Sequence, residues 1–380
     1  FKNGIKHGEV LMLWPKEEVN GEVLIQNYKG MFTKDEINGG KGTVCWGVEG
    51  HTLNRYFGEF KNGIFNGKGL LQKENGDEYD GNFVQGVYNG FGKLTKNDGE
   101  KYEGDFVNEI YEGQGKLTKV DGEVYDGEFK NAKYNGKGKI KFINKETYEG
   151  DFVENLITGK GEYHYSDNSV YKGAFKNGKR QGKGKITYQP GHYYEGDWES
   201  DIRTGKGKEV FREGNVYEGD FQNDKIEGKG KMTYANKDVY TGTFKDGQRN
   251  GDGECRFGDG RVYKGQGLKE KKEGKGKMTM KNKEYYDGEW KNDLRDGEGI
   301  FHWPNGQEFR GGYLNDLKQG KGMIYWASNG QRLEAYFDKV EIDGTATRYY
   351  SNGEIYEQTY EKGKKKSEKK ISGPTVKEKE

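Results

Sequence analysis

The sequence predicts an all-β fold, an elongated single-layer solenoid of stacked antiparallel β-hairpins built from 23-residue repeats. Three observations predict it. Twelve aromatic residues, from Tyr56, Tyr79 and Tyr102 through Tyr286 to Phe309, follow one another at a constant spacing of 23 residues. In each of the twelve repeats a glycine follows the head residue by two positions, and a Gly-x-Gly pair lies eleven and thirteen residues after it, which places thirty-six of the 64 glycines. Between these marks the chain alternates with period 2 and is punctuated by turn residues, the pattern of short strands rather than helices.

Numbered from its head, each repeat reads Tyr at 1, Gly at 3, an aromatic at 5, Gly at 12 and 14, an apolar residue at 16 and in many copies an aromatic at 18. In Tyr217-Glu218-Gly219-Asp220-Phe221 the period of 2 sends Tyr, Gly and Phe to one face and the acids to the other. The second strand repeats this, with Gly228, Gly230, Met232 and Tyr234 inward and Lys229, Lys231 and Thr233 outward. Turn signals such as Phe60-Lys61-Asn62-Gly63 and Glu74-Asn75-Gly76 separate the strands. Interior glycine weakens a strand, so something must need the space it leaves. In stacked hairpins that something is the aromatic ring, and Gly219, Gly228 and Gly230 are expected to be seats for rings. Outward, first strands carry acids (Glu149, Asp151, Glu218, Asp220) and second strands lysines (Lys137, Lys139, Lys229, Lys231). Opposite charges on adjacent strands contribute roughly 0.2–1 kcal/mol per pair and fix the register.

The ends depart from this regularity. Residues 1–55 hold partial and degenerate repeats, including Tyr28-Lys29-Gly30-Met31-Phe32, and Phe1 to Gly4 looks like the middle of a still earlier repeat. The chain is therefore expected to be a portion of something longer. Residues 56–331 are the twelve regular repeats. In 332–361 the aromatics persist but Ala335 and Gln358 replace the seat glycine, as expected of terminal caps; an unpaired edge there would also serve self-association. Residues 362–380 read as a basic, disordered tail, whose Lys362, Lys364, Lys365, Lys366, Lys369 and Lys370 form a candidate polyanion site.

Composition excludes several classes of function. Lys plus Arg (64) nearly cancels Asp plus Glu (63), so no long-range field gathers nucleic acid, and none is expected as a partner. Although 33% of residues are charged, an aromatic content of 14% argues against disorder. The two cysteines, Cys45 and Cys255, form no zinc or disulfide framework, and no apolar run suits a membrane span or a signal peptide. A cytoplasmic setting is expected. The Gly-x-Gly pairs open strands and lack the rest of a phosphate loop. His7, His51, His164, His192 and His302 are scattered, and acids recur everywhere as strand-surface charges. No catalytic, metal or cofactor residue is assigned.

The repeat YEGDFxNxxxxGKGxxxY resembles the MORN repeat, the membrane occupation and recognition nexus motif, and the resemblance runs from Tyr56 to about Ala327. It implies a non-enzymatic scaffold or adaptor for protein–protein interaction, similar to long cytoskeletal and ciliary arrays such as radial-spoke components. Two alternatives follow from the same resemblance. One is a targeting or regulatory module of a larger enzyme, for example a phosphatidylinositol phosphate kinase; the other is an anchor to anionic lipid. The partner-binding surface is expected on the aromatic face, in a groove formed by Tyr165, Tyr188, Trp198, Phe211, Tyr234, Phe257, Trp303 and Tyr325, widened where Gly267 interrupts the aromatic position 5.

Strands about 4.8 Å apart, two per repeat over about 14 repeats, give a length on the order of 130 Å less any loss to twist. A small-angle scattering profile should fit a rod; one fitting a compact particle of this mass contradicts the reading. By the same spacing Cys45 and Cys255 lie roughly 80 Å apart and cannot join within one chain, which mass spectrometry under non-reducing conditions checks.

Overall fold

The computed structural model describes residues 2–37 and 40–373. Among them there is no helix, and every strand pairing is antiparallel. The protein is an all-β solenoid of antiparallel hairpins, in two compact units: Phe1–Gln189 with Glu199–Asp201, and Pro190–Trp198 with Ile202–Glu380. In the first, the long strand Glu22–Thr33 pairs with Gly8–Leu13 and Glu17–Val19 on one side and with Lys41–Val48 on the other. From there each strand pairs with the next in sequence as far as Lys179–Gln189. The second runs likewise from Ile202–Val210 to Leu317–Trp326, and ends in Gln331–Asp338, Gly344–Tyr349, Ile355–Glu361 and Lys364–Ser372.

The tight turns are as the sequence signals them. Asn62 and Gly63 (φ 52° and 78°) and Asn223 and Asp224 (φ 50° and 64°) both take the left-handed conformations of a two-residue hairpin loop. Inside each hairpin the ladder is not regular. In the Tyr125 repeat Gly127 faces Gly138 and Phe129 faces Tyr134, so four steps on the second strand oppose two on the first. This bulge sits at position 12, where Gly136 has φ 72°. Side chains of the motif supply hydrogen bonds where the ladder is interrupted. The Tyr125 hydroxyl donates to the Glu128 carbonyl at 2.9 Å, and the Glu128 carboxylate accepts the Lys137 N–H at 3.0 Å. The same hydroxyl bond recurs at Tyr56 (2.8 Å), Tyr79 (2.9 Å), Tyr217 (3.0 Å) and Tyr263 (2.7 Å). Burial pushes the Tyr56, Tyr79 and Tyr102 hydroxyls well above the usual phenol range and keeps them protonated donors.

The head ring is the centre of the packing. Tyr125 is 0% exposed and lies over Gly127 and Gly138, where a methyl on Gly138 would fall 2.6 Å from ring carbons. Phe129 of the same repeat and Phe152 of the next meet it edge-on at 5.1 Å, with interplanar angles of 88° and 89°. Edge-to-face pairs contribute about 0.5–1.5 kcal/mol each beyond the area they bury. Repeated along each unit, this herringbone is the core. The seats at positions 3 and 14 are confirmed, and Gly228 requires a correction. It is not under a ring; its φ is 77°, and a methyl there would meet the Asp220 carboxylate. Position 12 needs glycine for its backbone, positions 3 and 14 for space.

Gly267 provides the natural knockout. Without an aromatic at position 5, the flanking heads Tyr240 and Tyr263 are each 6% exposed, against 0% for Tyr125 and Tyr148. A side chain at Gly267 meets nothing nearer than a carbonyl at 3.4 Å, and the backbone is in the ordinary region. Gly267→Phe should raise stability by about 1.5–3 kcal/mol at full burial, whereas Gly138→Ala should lower it by about 1–3 kcal/mol. Denaturant titration followed by circular dichroism reads both; equal and small effects would remove the distinction between a seat and an empty place.

Candidate interaction surfaces

The candidate aromatic row occupies position 18 on the ring-bearing face. Tyr165, Tyr188, Phe211, Tyr234, Phe257 and Trp303 are all half-buried there. Two residues expected with them are elsewhere. Trp198 stands at position 5 and is 3% exposed, edge-on to Tyr194 at 5.2 Å, so it belongs to the core. Tyr325 stands at position 17, opposite Glu308 and Arg332, and therefore shares the charged face.

Position 10, which the sequence reading passed over, completes this face. In the first four regular repeats it is aromatic and stacks flat on the head, as Phe65 on Tyr56 and Tyr134 on Tyr125, both with centroids 3.8 Å apart. Further on it is often a cation. Arg203 lies 5.3 Å from the Tyr194 ring, Arg249 5.6 Å from Tyr240 and Lys318 4.4 Å from Phe309. Position 18 of the preceding repeat changes in the opposite sense. Lys73 lies over Tyr88 at 5.4 Å and Lys119 over Tyr134 at 5.6 Å, whereas Trp303 lies under Lys318 at 5.3 Å. Aromatic and cation exchange places, and the row aromatic Trp303 is partly covered by its neighbour. Turn acids of the next repeat hold the arginines: Arg180 Nε to Asp201 at 3.0 Å and Arg295 Nε to Asp316 at 2.9 Å. The signal was present in the sequence as this reciprocal exchange between two positions fifteen residues apart.

The opposite face carries the expected ladder. Lys139 meets Glu149 at 3.2 Å and Lys208 meets Glu218 at 2.9 Å, each pair joining one repeat to the next. The Lys137 ammonium beside Asp151, and Lys208 beside Glu218, hold those carboxyls below their usual range. Two troughs lie over the glycine rows of this face. One, of about 850 Å³, is bounded by charges such as Asp126, Lys139, Glu149 and Lys172. The other, of about 900 Å³, includes Ile300, Met323 and Tyr336. Both troughs lie on the charged face, whereas the groove was expected on the aromatic one.

Glu209 was also missed. It replaces the apolar residue of position 16, is 7% exposed, and is held by Arg203 Nη1 at 3.0 Å with His192 Nε2 at 4.0 Å. The remaining histidines stand apart from this cluster: His164 pairs with Glu162 at 2.8 Å and His302 with Glu308 at 3.3 Å. Among the described residues no group of three His, Cys, Asp or Glu side chains is arranged to hold a metal ion, and no helix is long and apolar enough to cross a membrane.

The basic segment differs from its expectation. Lys364–Ser372 is a strand paired with Ile355–Glu361, not a disordered tail; residues 374–380 lie outside the described residues. Its order has a local cause, because the lysines alternate against acids. Lys365 meets Glu368 at 2.6 Å, Lys366 meets Glu361 at 2.8 Å and Lys370 meets Glu354 at 2.7 Å. Half of the six candidate polyanion ligands are thus engaged within the chain, leaving Lys362, Lys364 and Lys369 without an ion pair among the described residues.

The MORN repeat family model matches residues 56–78, 79–101, 102–124, 125–147, 148–170, 171–193, 194–216, 217–239, 240–260, 286–308 and 309–331. The chain belongs to the MORN-repeat family, whose arrays are modules for protein interaction or membrane targeting. The unmatched stretch, 261–285, contains Gly267, yet its hairpin keeps the common register on both sides. No curated protein sequence matches. Among solved structures, the chain is similar to the Drosophila melanogaster SAS-4 (dCPAP) TCP domain in complex with a proline-rich motif of Ana2 (dSTIL). That likeness is 12% identity over 48% of this chain and 93% of that one, with a TM-score of 0.27. A streptogramin B lyase structure is 10% identical over 80% and 89% of the two chains, with a TM-score of 0.12. Likenesses this low carry no argument.

Hydrogen bonds from Lys365, Tyr350 and Gln358 lower the Glu368 carboxyl to about 2. A depressed carboxyl stabilises the fold above its unfolded value of 4.5 and loses that contribution as pH falls toward 2. The last hairpin should therefore loosen between those two values while the core holds. Carbon-detected NMR should find a Glu368 midpoint near 2 that rises toward 4.5 in Lys365→Ala; an ordinary midpoint in the parent chain would mean the strand is not formed.

Proposed function

We propose that this chain is a non-enzymatic scaffold that docks partner proteins along a repeat array, as part of a cytoplasmic cytoskeletal or ciliary axonemal assembly. One observation carries the reading. The regular hairpins spend their aromatic and glycine residues on stacking against their neighbours, and the array exposes a second face of ordered charges, crossed by troughs. A surface repeated at fixed spacing suits the simultaneous positioning of several partners. The exposed parts of Tyr165, Tyr188, Phe211, Tyr234, Phe257 and Trp303 offer a further strip on the ring-bearing face.

Affinity purification of the full-length protein from its own cells tests the proposal. Co-purification of axonemal or cortical cytoskeletal proteins at stable stoichiometry is expected; an enzyme domain continuous with this chain, or no retained protein, would overturn it. Lys362, Lys364 and Lys369 support a secondary contact with anionic lipid. Flotation with phosphatidylserine vesicles should then weaken when those three lysines are changed to Ser; flotation that is absent, or unaltered by the change, removes the lipid contact.

A further inference from the structure

Position 15 on the charged face is charged in nine consecutive repeats, from Lys93 through Lys139 and Lys231 to Lys277. The next two repeats break the pattern with Ile300 and Met323, and both side chains reach the 900 Å³ trough of the second compact unit. Tyr336, on the adjoining strand, is 53% exposed in the same trough. An isoleucine, a methionine and an exposed tyrosine thus form an apolar floor where the equivalent trough of the first unit has only charged and polar side chains over glycine backbone.

The polar wall is altered at the same place. In several other repeats a lysine at position 13 faces an acid at position 4 of the next repeat, as in the ion pairs Lys137–Asp151 and Lys206–Asp220. Here position 13 is Glu298 and the residue facing it is Gly312. The acid has no ion pair among the described residues, and the glycine offers it no facing side chain. A methyl on Gly312 would lie 2.5 Å from the Gln319 carbonyl oxygen and 3.6 Å from Glu298 Oε1. Both groups are acceptors, and the carboxylate is uncompensated. The neighbouring Arg310 does not compensate it, because Glu308 holds that guanidinium through Nε at 2.9 Å and Nη2 at 2.6 Å.

We propose that this trough is a docking site for a partner protein's linear segment, in which an arginine pairs with Glu298 and a neighbouring apolar side chain seats on Ile300, Met323 and Tyr336. The occupant follows from complementarity. A planar, multi-donor cation fits an unpaired carboxylate beside a carbonyl, and an adjacent apolar group covers a floor that would otherwise face water. The inference rests on the scaffold reading and names one of its contacts.

The test selects a phage library of random twelve-residue peptides on the full chain. Enrichment of a consensus pairing Arg with an apolar residue one to three positions away is expected, and its affinity should fall at least about tenfold in Glu298→Gln and in Met323→Lys. Met323→Lys restores the residue type that most other repeats carry at position 15, so the fold tolerates it. No consensus, an acidic one, or binding indifferent to both changes would overturn the proposal. The purification above separates the two claims: partners captured equally by the parent chain and by Met323→Lys remove this site and leave the scaffold, whereas no partner captured by the parent chain removes the scaffold.

Discussion

An aromatic ring laid across two glycines on neighbouring strands is the constraint from which the rest of the structure follows. A single sheet has no second layer to cover its apolar face, so its rings must cover one another and the backbone beneath them. Tyr125 can lie flat only because Gly127 and Gly138 have no side chains, and it can remain there because Phe129 and Phe152 close its two edges. The bulge at Gly136 interrupts the ladder, and two hydrogen bonds made by residues of the same motif then satisfy the strands. Ring, seat and bulge are one device, which is why they recur together every 23 residues, and in many repeats a position-4 acid completes it.

Much of this was legible because the device is local and periodic. Period 2 separated the two faces, the spacing of glycines gave the hairpins, and the alternation of acids with lysines gave the ladder that Lys139–Glu149 and Lys208–Glu218 complete. What escaped depends on geometry that period 2 does not encode. Gly228 lies in phase with the seats, but the bulge turns its backbone to φ 77°. Trp198 resembles the row aromatics in type and differs from them in position. The basic segment read as a tail because lysine repels lysine in one strand; the acids that pair with it, such as Glu354 and Glu361, stand just before and at the end of the preceding strand.

The division of labour between faces bears on function. The ring-bearing face is committed to stacking, and aromatic and cation trade places between positions 10 and 18 so that rings such as Tyr88 and Trp303 gain a cation over them. The charged face holds register with pairs that are individually weak, so it tolerates replacement where a partner is better served by something else. Ile300 and Met323 are such replacements within one trough, and their cost to the fold is small because the core lies on the other side of the sheet.

The chemical shifts of the glycine α-protons test the account most directly, because a proton held against the face of an aromatic ring resonates upfield. In glycine-labelled protein, one α-proton of each position-14 glycine, such as Gly115, Gly138 and Gly230, points at the head ring of its own repeat. The position-12 glycines, such as Gly113, Gly136 and Gly228, face carboxylates instead. The account predicts strongly upfield α-protons for the first group and ordinary ones for the second; ordinary shifts throughout would mean that the rings do not lie on the glycines.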